Sequence, residues 1–373
     1  MSLNAEITRI ENAKTTLKTK LNSRNDNQHQ ITNELIDEYG DFVDSIPERE
    51  IDWSEIGYSE TPQFVQDGYD YAKTIYDNWD SSQSMFFYIF ANNKSLIFMP
   101  LVETSNGFNF SGMFSSCQAL TTIPQLDTSN GIYFSSMFIS CTSLTTVPQL
   151  DTSSGTDFSG MFASCTSLTT VPQLDTSSGT DFDSMFASCT SLTTIPQLNT
   201  SSGTDFDSMF SSCKALTTIP QLNTSNGTIF QSMFQYCTSL TTIPQLNTSN
   251  GTNFSSMFSY CSNLVNVPQL DTSSGTDFLR MFQYCFSLAT FGGLENIGQA
   301  YSTNTSANYS NYTLDLSSCS RLTHDSLMNV INNLYDIATK GCNTQQLVLG
   351  STNLAKLSAS EISTATNKGW SVS

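Results

Sequence analysis

The chain has 373 residues and a formal net charge of −19, with only 13% charged residues, so most of its polarity comes from Ser, Thr and Asn. Between residues 97 and 290 the basic residues are Lys214 and Arg280. Nucleic acids and anionic membranes are bound through clustered Lys and Arg, and such a cluster is missing from the sequence. We therefore expect no nucleic-acid partner and no membrane insertion.

The first 50 residues are predicted to form a helical attachment or oligomerisation module. Apolar residues recur on one helical stripe: Leu3, Ile7, Ile10, Leu17 and Leu21. A second helical stretch, ITNELIDEYGDFVDSIP, follows. Three heptads fit a homo-oligomeric coiled coil, a helical hairpin or docking onto a larger assembly equally well. The opening lacks the apolar core of a signal peptide, so we expect the protein to be made and folded in the cytoplasm.

Residues 51–88 have a different sequence pattern from the rest of the chain. The stretch FVQDGYDYAKTIYDNW has the pattern of an amphipathic helix rich in aromatic residues. The open apolar end of a repeat array needs a cover, so we predict an amino-terminal cap here.

From residue 89 to residue 293 the sequence repeats with a period of 24 residues. The units begin at Ile89, Met113, Met137, Met161, Met185, Met209, Met233, Met257 and Met281. A fixed period of this length is typical of leucine-rich repeats, in which each unit is one coil of a solenoid. At a strand spacing of about 4.8 Å, nine such coils would form a rod roughly 40 Å long.

Each aligned position of the repeat, here called a column, has a physical interpretation. The segment LTTIPQL carries two Leu and one Ile or Val as inward residues and predicts a short parallel strand, which the Pro should end. Two Phe columns would fill the far side of the coil. The Gly column, which includes Gly179 and Gly203, follows Ser or Asn and is interpreted as supplying a positive φ.

Two polar columns are interpreted as structural. Asp or Asn follows the last Leu of each coil, and their interchange indicates a hydrogen bond to local backbone. Eight Cys, from Cys117 to Cys285, lie 24 residues apart. We expect buried free thiols, although stacked coils leave disulfides imaginable, and zinc is disfavoured because no His accompanies them.

The sequence predicts neither an enzyme nor a cofactor. The two histidines are His29, in a polar link, and His324, at a predicted helix start, and no Ser/His/Asp or Cys/His arrangement is visible. A cluster of carboxylates, Asp181, Asp183, Asp205 and Asp207, is interpreted as a solvated acidic edge, with calcium binding as the alternative.

After Leu294 the period ends. LDLSSCSRLTHDSLMNVINNLYDI and QQLVLGSTNLAKLSASEISTATNKGW each predict a strand followed by a helix, the second with a capping box from Ser358 to Glu361. We predict that residues 294–373 form a carboxy-terminal cap. The fold class is thus an α/β repeat solenoid, a leucine-rich-repeat array of 24-residue coils with short parallel strands, a helical amino-terminal segment and a helix-bearing carboxy-terminal cap.

The repeat line MFxxCxxLTTIPQLDTSxGT resembles the BspA-like leucine-rich repeats of bacterial surface proteins. The carboxy-terminal segments look like those that close such proteins in phages of gut bacteria. The opening is similar to an amino-terminal module of phage tail and fibre proteins, although NDNQHQ replaces its usual Gly-Val turn. This resemblance implies a virion structural protein that is assembled in the host cytoplasm. It would contact other virion proteins through the amino terminus and present its solenoid for host recognition.

Two other functions compete with the virion role: a bacterial cell-surface adhesin and a glycan-cleaving enzyme that uses paired carboxylates, ranked last. For host glycan or protein binding, the candidate residues fall into two groups. The first is the amide column Gln125, Gln149, Gln173, Gln197, Gln221, Gln245 and Gln269, for which solubility alone is the competing interpretation. The second is an aromatic row in the last three coils, for which packing toward the cap is the alternative: Tyr236, Tyr260 and Tyr284.

Overall fold

A computed structural model describes residues 86–97, 99, 102–302, 313–340 and 343–373. The predicted attachment module, with Leu3, Ile7, Ile10, Leu17 and Leu21, and nearly all of the predicted amino-terminal cap lie outside these residues. Among the residues described, no helix is both long and apolar enough to cross a bilayer.

The 24-residue units stack on one another, as the period predicts. Backbone bonds join each unit to the next along the segment that contains Met and Phe: Phe182 N donates to Asp205 O at 3.1 Å, Phe186 N to Met209 O at 2.9 Å and Ser188 N to Ser211 O at 2.7 Å. Parallel bridges with the same spacing run from Asn109 to Asp277. The described units therefore form a repeat solenoid held together by coil-to-coil hydrogen bonds.

The core is filled by two stacks of phenylalanine. Neighbouring rings in each stack lie 5.2–5.8 Å apart between centroids and are nearly parallel. Leu, Met and Cys columns complete one continuous apolar cluster from Phe86 to Trp370. The predicted inward Leu columns and the two Phe columns are confirmed. No coil could bury its rings without a neighbour on each side, so the stack is stable only as an array.

Strands are rarer than the repeat predicts. Among the described residues of the coils before Asn266, the LTTIPQL segment does not form a strand. In the last coils it contributes β1 (Asn266–Val267), β2 (Leu270–Asp271), β3 (Thr290–Phe291) and β4 (Leu294–Glu295). β1 pairs with β3 and β2 with β4, both in parallel, with Leu270 opposite Leu294. The prediction of one strand in every coil is therefore wrong.

A competition for carbonyl groups explains the missing strands. In the earlier coils each Gln side chain donates to the Gln carbonyl of the next coil, for example Gln173 Nε2 to Gln197 O at 2.6 Å. In the last coil Gly293 occupies the position of the Gln column. Its carbonyl accepts the backbone N–H of Leu270 at 3.1 Å in place of a Gln side chain. Pro, which has no N–H, removes a further ladder bond.

The Gly column does not have the role predicted for it. Gly179 and Gly203 do not have a positive φ; that conformation occurs instead at Ser and Tyr positions such as Ser188 and Tyr236. A Cβ on Gly203 would lie 2.7 Å from Phe206 and 2.9 Å from Phe182. Glycine is required because the backbone passes directly over the buried rings.

The carboxy-terminal region continues the stack with longer units. After α1 (Gln299–Ser302), it contains β5 (Thr313–Asp315), α2 (His324–Asn333), β6 (Gln345–Val348), α3 (Gly350–Leu354), α4 (Ala359–Asn367) and β7 (Trp370–Val372). β5, β6 and β7 form a parallel sheet in that order. The helix start at His324 and the capping box of Ser358 and Glu361 are confirmed.

Candidate functional site

A groove runs along one face of the stacked coils. One part, of 1020 Å³, extends from Gln173 to Glu295, and the other, of 1220 Å³, from Val102 to Asp175. Both parts are lined by Gln173 and Asp175, so they form one continuous surface, here called the groove. Four neighbouring columns line it: Gln, Leu, Asp or Asn, and Thr.

Side-chain hydrogen bonds build the groove from coil to coil. Each Gln from Gln125 to Gln245 donates its Nε2 to the Gln carbonyl of the next coil at 2.5–2.7 Å. The buried Thr hydroxyls donate to the Asp or Asn carbonyl of the next coil at 2.7–2.9 Å, or to Glu295 O in the last coil. Because these donors are used within the scaffold, the Gln column is a structural ladder as well as a surface.

The Asp and Asn column has the role predicted for it. Each Oδ1 accepts the backbone N–H of the Ser two residues later at 3.0–3.2 Å. Sequence reasoning did not foresee that these side chains also lie in the groove. Asn199, Asn223 and Asn247 occupy its middle, with Asp175 and Asp271 on either side. The groove therefore has an uncharged centre between acidic ends.

The tyrosine row lies at a different place in the coil, away from the residues that line the groove. Tyr236 and Tyr260 stack with centroids 4.3 Å apart, and Tyr260 and Tyr284 lie 4.6 Å apart with tilted planes. Tyr284 N also donates to Ser318 Oγ in the carboxy-terminal region at 2.9 Å. The row thus packs toward that region and is still exposed, with Tyr236 and Tyr284 each 37% accessible.

The repeat cysteines are free and buried, as predicted, and Cys319 joins them. Each of the eight repeat thiols donates to a Phe carbonyl of the preceding coil at 2.9–3.1 Å. Burial raises the pKa of the Cys117 and Cys189 thiols to about 12, so they do not form the reactive thiolate at neutral pH.

We expect none of the eight repeat cysteines to be alkylated by N-ethylmaleimide at pH 8 in the native protein, whereas all react after unfolding in guanidinium. Peptide-resolved mass spectrometry measures both states and separates them from Cys342, which lies outside the described residues. Rapid native labelling at any repeat position would contradict the buried thiol ladder.

The acidic edge consists of half-buried carboxylates. Burial, with smaller contributions from neighbouring Asp groups, raises the pKa of Asp181, Asp205 and Asp207. Asp181 Oδ1 accepts from Asp183 N at 3.0 Å, so the cluster is bonded internally. Within the described ranges, no three His, Cys, Asp or Glu residues are placed to hold a metal ion. The calcium alternative gains no support from this arrangement.

The double substitution Asp181→Asn and Asp205→Asn is expected to raise the free energy of unfolding at pH 7, because Asn keeps the accepting oxygen without the buried charge. Because the pKa of each carboxyl is higher in the folded state than in the unfolded state, its ionised form destabilises the fold at neutral pH. This penalty is lost as the pH falls through the folded pKa toward the pKa of the unfolded chain, about 3.9. The gain should therefore shrink between neutral pH and pH 4 in urea titrations. The exposed substitution Asp175→Asn serves as the control, and an equal gain there would contradict the account.

His324 belongs to no catalytic arrangement among the residues that are described. His324 Nε2 contacts Glu361 Oε1 at 2.8 Å and links α2 to α4. The Glu361 carboxylate also accepts the Ser358 N–H at 2.7 Å, which is the main reason why its pKa falls to about 2. This pair is part of a helix contact, and His29 lies outside the described residues.

Comparison with protein-family models gives a clear match. The family model described as "Mycoplasma protein of unknown function, DUF285" matches residues 64–171, 108–220, 145–242 and 205–312, which together span more than half of the chain. No curated protein matches the sequence.

Three solved structures of bacterial proteins are similar to this chain, each with a low TM-score. A leucine-rich repeat protein of T. pallidum is 18% identical, covering 51% of this chain and 72% of that one, with a TM-score of 0.27. One from Bacteroides ovatus is 15% identical, with coverages of 74% and 87% and a TM-score of 0.24. A leucine-rich cell surface protein of Faecalibacterium prausnitzii is 16% identical, with coverages of 62% and 76% and a TM-score of 0.22. These scores are too low for the likeness to support a conclusion.

Proposed function

The chain belongs to the DUF285 family, whose description gives no function, and we propose that it is a non-enzymatic recognition scaffold that binds an extended, uncharged polysaccharide in the groove. The observation that carries the proposal is the continuity of the groove from Val102 to Glu295, across successive coils that repeat the same polar groups. A polymer of repeating sugar units matches a surface of repeating contacts.

The chemistry of the groove favours a ligand that supplies hydrogen-bond donors. Gln Nε2 is bonded within the scaffold, so the amide Oε1 is the group of each Gln that is left to accept a bond from a ligand. The central Asn side chains present both donors and acceptors without charge. Sugar hydroxyls can satisfy both, whereas an anionic chain would be repelled by Asp175 and Asp271.

Two substitutions at one position separate binding from stability. Gln197→Lys keeps a donor for the Gln221 and Leu198 carbonyls and removes the outward oxygen, whereas Gln197→Glu keeps an outward oxygen and removes the donors. With neutral surface polysaccharides immobilised as the probe, we expect the full chain to bind, Gln197→Lys to weaken binding and Gln197→Glu to weaken it less.

In thermal unfolding we expect Gln197→Glu to be the less stable of the two variants, because it loses both donor hydrogen bonds, at a cost of about 1–3 kcal/mol. If no neutral polysaccharide binds the unaltered chain, or if Gln197→Lys leaves binding unchanged, the groove is not the binding surface.

We further propose that the scaffold works at a surface, either as the virion appendage implied by the phage-like segments or as a bacterial adhesin. Residues 1–50, the predicted contact with other virion proteins, lie outside the described residues. Mass spectrometry of purified virions and of bacterial envelopes distinguishes the two. Presence in virions that depends on residues 1–50 supports the appendage, and presence on envelopes alone supports the adhesin.

A further inference from the structure

The tyrosine row ends abruptly at Tyr236. The same position is Ser in the five coils before it, from Ser116 to Ser212, so no ring continues the stack beyond Tyr236. Ser212 lies one coil below, and its N–H donates to Gln235 O, the carbonyl next to Tyr236, at 2.6 Å. Within the described part of the chain, Tyr236 stacks with Tyr260 and with no second ring. One face of the Tyr236 ring is therefore left without an aromatic neighbour.

Tyrosine is not the residue that this backbone position favours. The position has a positive φ in each coil, 62° at Ser212 and 60° at Tyr236, a conformation that bulky side chains rarely adopt. Burial does not compensate, since Tyr236 is 37% exposed. Three successive tyrosines in a conformation that suits Ser or Gly indicate a function for the rings outside the core.

A basic residue lies in the coil directly below Tyr236. Lys214 N donates to Ser212 O at 2.9 Å, which places this lysine at the coil directly below Tyr236. Its side chain is exposed, and the ion pairs found among the described residues involve His324 and not Lys214. Because Lys214 and Arg280 are the basic residues between positions 97 and 290, an unpaired lysine here is a distinctive feature of this acidic surface.

Together these groups fit one class of ligand. The face of a pyranose ring carries C–H groups of slight positive charge, which are attracted to the negative face of an aromatic ring. The hydroxyl of Ser212 can bond to a sugar hydroxyl, and the Lys214 ammonium can pair with one carboxylate. A nucleotide fits poorly, because its several phosphates would meet a single lysine on a chain of net charge −19.

We propose that the face of Tyr236 without an aromatic neighbour, with Ser212 and Lys214 of the coil below, binds an acidic pyranose such as a uronic or sialic acid residue of a surface glycan. This site is separate from the groove and does not rest on the function proposed for it. The groove would bind uncharged sugars along several coils, whereas this site would bind a single charged ring at the end of the tyrosine row.

The test is a panel of immobilised glycans ending in uronic or sialic acid, each beside its methyl ester, with the full chain as analyte. We expect the acids to bind more tightly than the esters. Tyr236→Ser and Lys214→Thr, which restore residues found in other coils, should each reduce affinity for the acid about tenfold or more. Lys214→Thr should also abolish the preference for the acid over the ester.

The matched control is Tyr284→Ser, the same change at the other end of the row, which should alter affinity less than about twofold. Gln197→Lys, which alters the groove, should leave binding of the acidic glycans intact. A failure of the Tyr236 site can therefore be distinguished from a failure of the proposed groove function. The proposal is overturned if no acidic glycan binds, or if Tyr236→Ser binds the acids as tightly as the unaltered chain does. Thermal unfolding confirms that each variant is folded.

Discussion

Replacing Phe206 with alanine is expected to lower the free energy of unfolding by about 3–5 kcal/mol. The ring is fully buried and lies between Phe182 and Phe230, with centroids 5.8 and 5.7 Å away. Neighbouring rings cannot close the gap, because the coil-to-coil hydrogen bonds fix the distance between them. The substitution therefore leaves a cavity in the middle of the array, and urea denaturation of the full chain measures its cost.

The control for this substitution is Phe286→Ala, which removes a ring that is 50% exposed. We expect it to cost less than about 1 kcal/mol, since most of the ring is already in water. Equal losses for the two variants would mean that the Phe206 column does not form the continuous core.

Replacing Gly203 with valine is expected to be at least as damaging as an ordinary overpacking substitution, which costs about 1–3 kcal/mol. A Cβ at this position would meet Phe206 Cζ at 2.7 Å and Phe182 Cε2 at 2.9 Å, and valine adds two methyl groups to that clash. Because Gly203 does not have a positive φ, the penalty comes from contact with the rings and not from backbone conformation. Thermal and urea unfolding both report it.

A double-mutant cycle identifies the cause. Leucine at position 206 lacks the Cζ atom that is nearest to the new Cβ, so Phe206→Leu should relieve part of the loss caused by Gly203→Ala. The exposed substitution Thr194→Val controls for adding bulk to the same coil and should have little effect. Strict additivity of Gly203→Ala and Phe206→Leu would contradict the contact explanation.

The sequence predicted the repeat period, the inward columns and the free cysteines because each of these depends on one residue type recurring at one spacing. Cys189 and its seven equivalents could be assigned to the core from their spacing and the absence of His partners. The Asp and Asn interchange, as at Asp175 and Asn199, likewise identified a local backbone bond, which the structure contains.

The strand and glycine predictions failed for a different reason. Each outcome depends on a side chain from elsewhere in the repeat that occupies a hydrogen-bond acceptor or a space needed for the predicted structure. The β-branched LTTIPQL segment favours a strand, yet the Gln197 side chain reaches the Gln221 carbonyl and takes the place of a backbone donor. Gly203 was assigned to a turn because Ser precedes it, whereas the ring of Phe206, three residues later, is what excludes a side chain. Such side-chain competition is not visible in a pattern of residue types.

The groove was only partly predictable. The Gln column was recognised as a candidate surface, but its Nε2 donors turned out to be bonded within the scaffold, and the Asp and Asn column beside it was assigned a structural role alone. Lys214 was recognised only as a rare basic residue. Its position in the coil directly below Tyr236 follows from the stacking of coils, which brings residues about 24 positions apart into neighbouring coils.

The most direct test of the account is to delete one complete repeat, residues 185–208. The deletion joins Ser184 to Met209 and keeps every column in register, so the shortened chain should fold, unfold cooperatively in urea and have a stack shorter by about 4.8 Å in small-angle scattering. Deleting only residues 185–196 puts Phe, Cys and Leu out of register and should abolish folding. If the complete-repeat deletion also fails to fold, or if both deletions fold equally well, the 24-residue coil is not the structural unit of this protein.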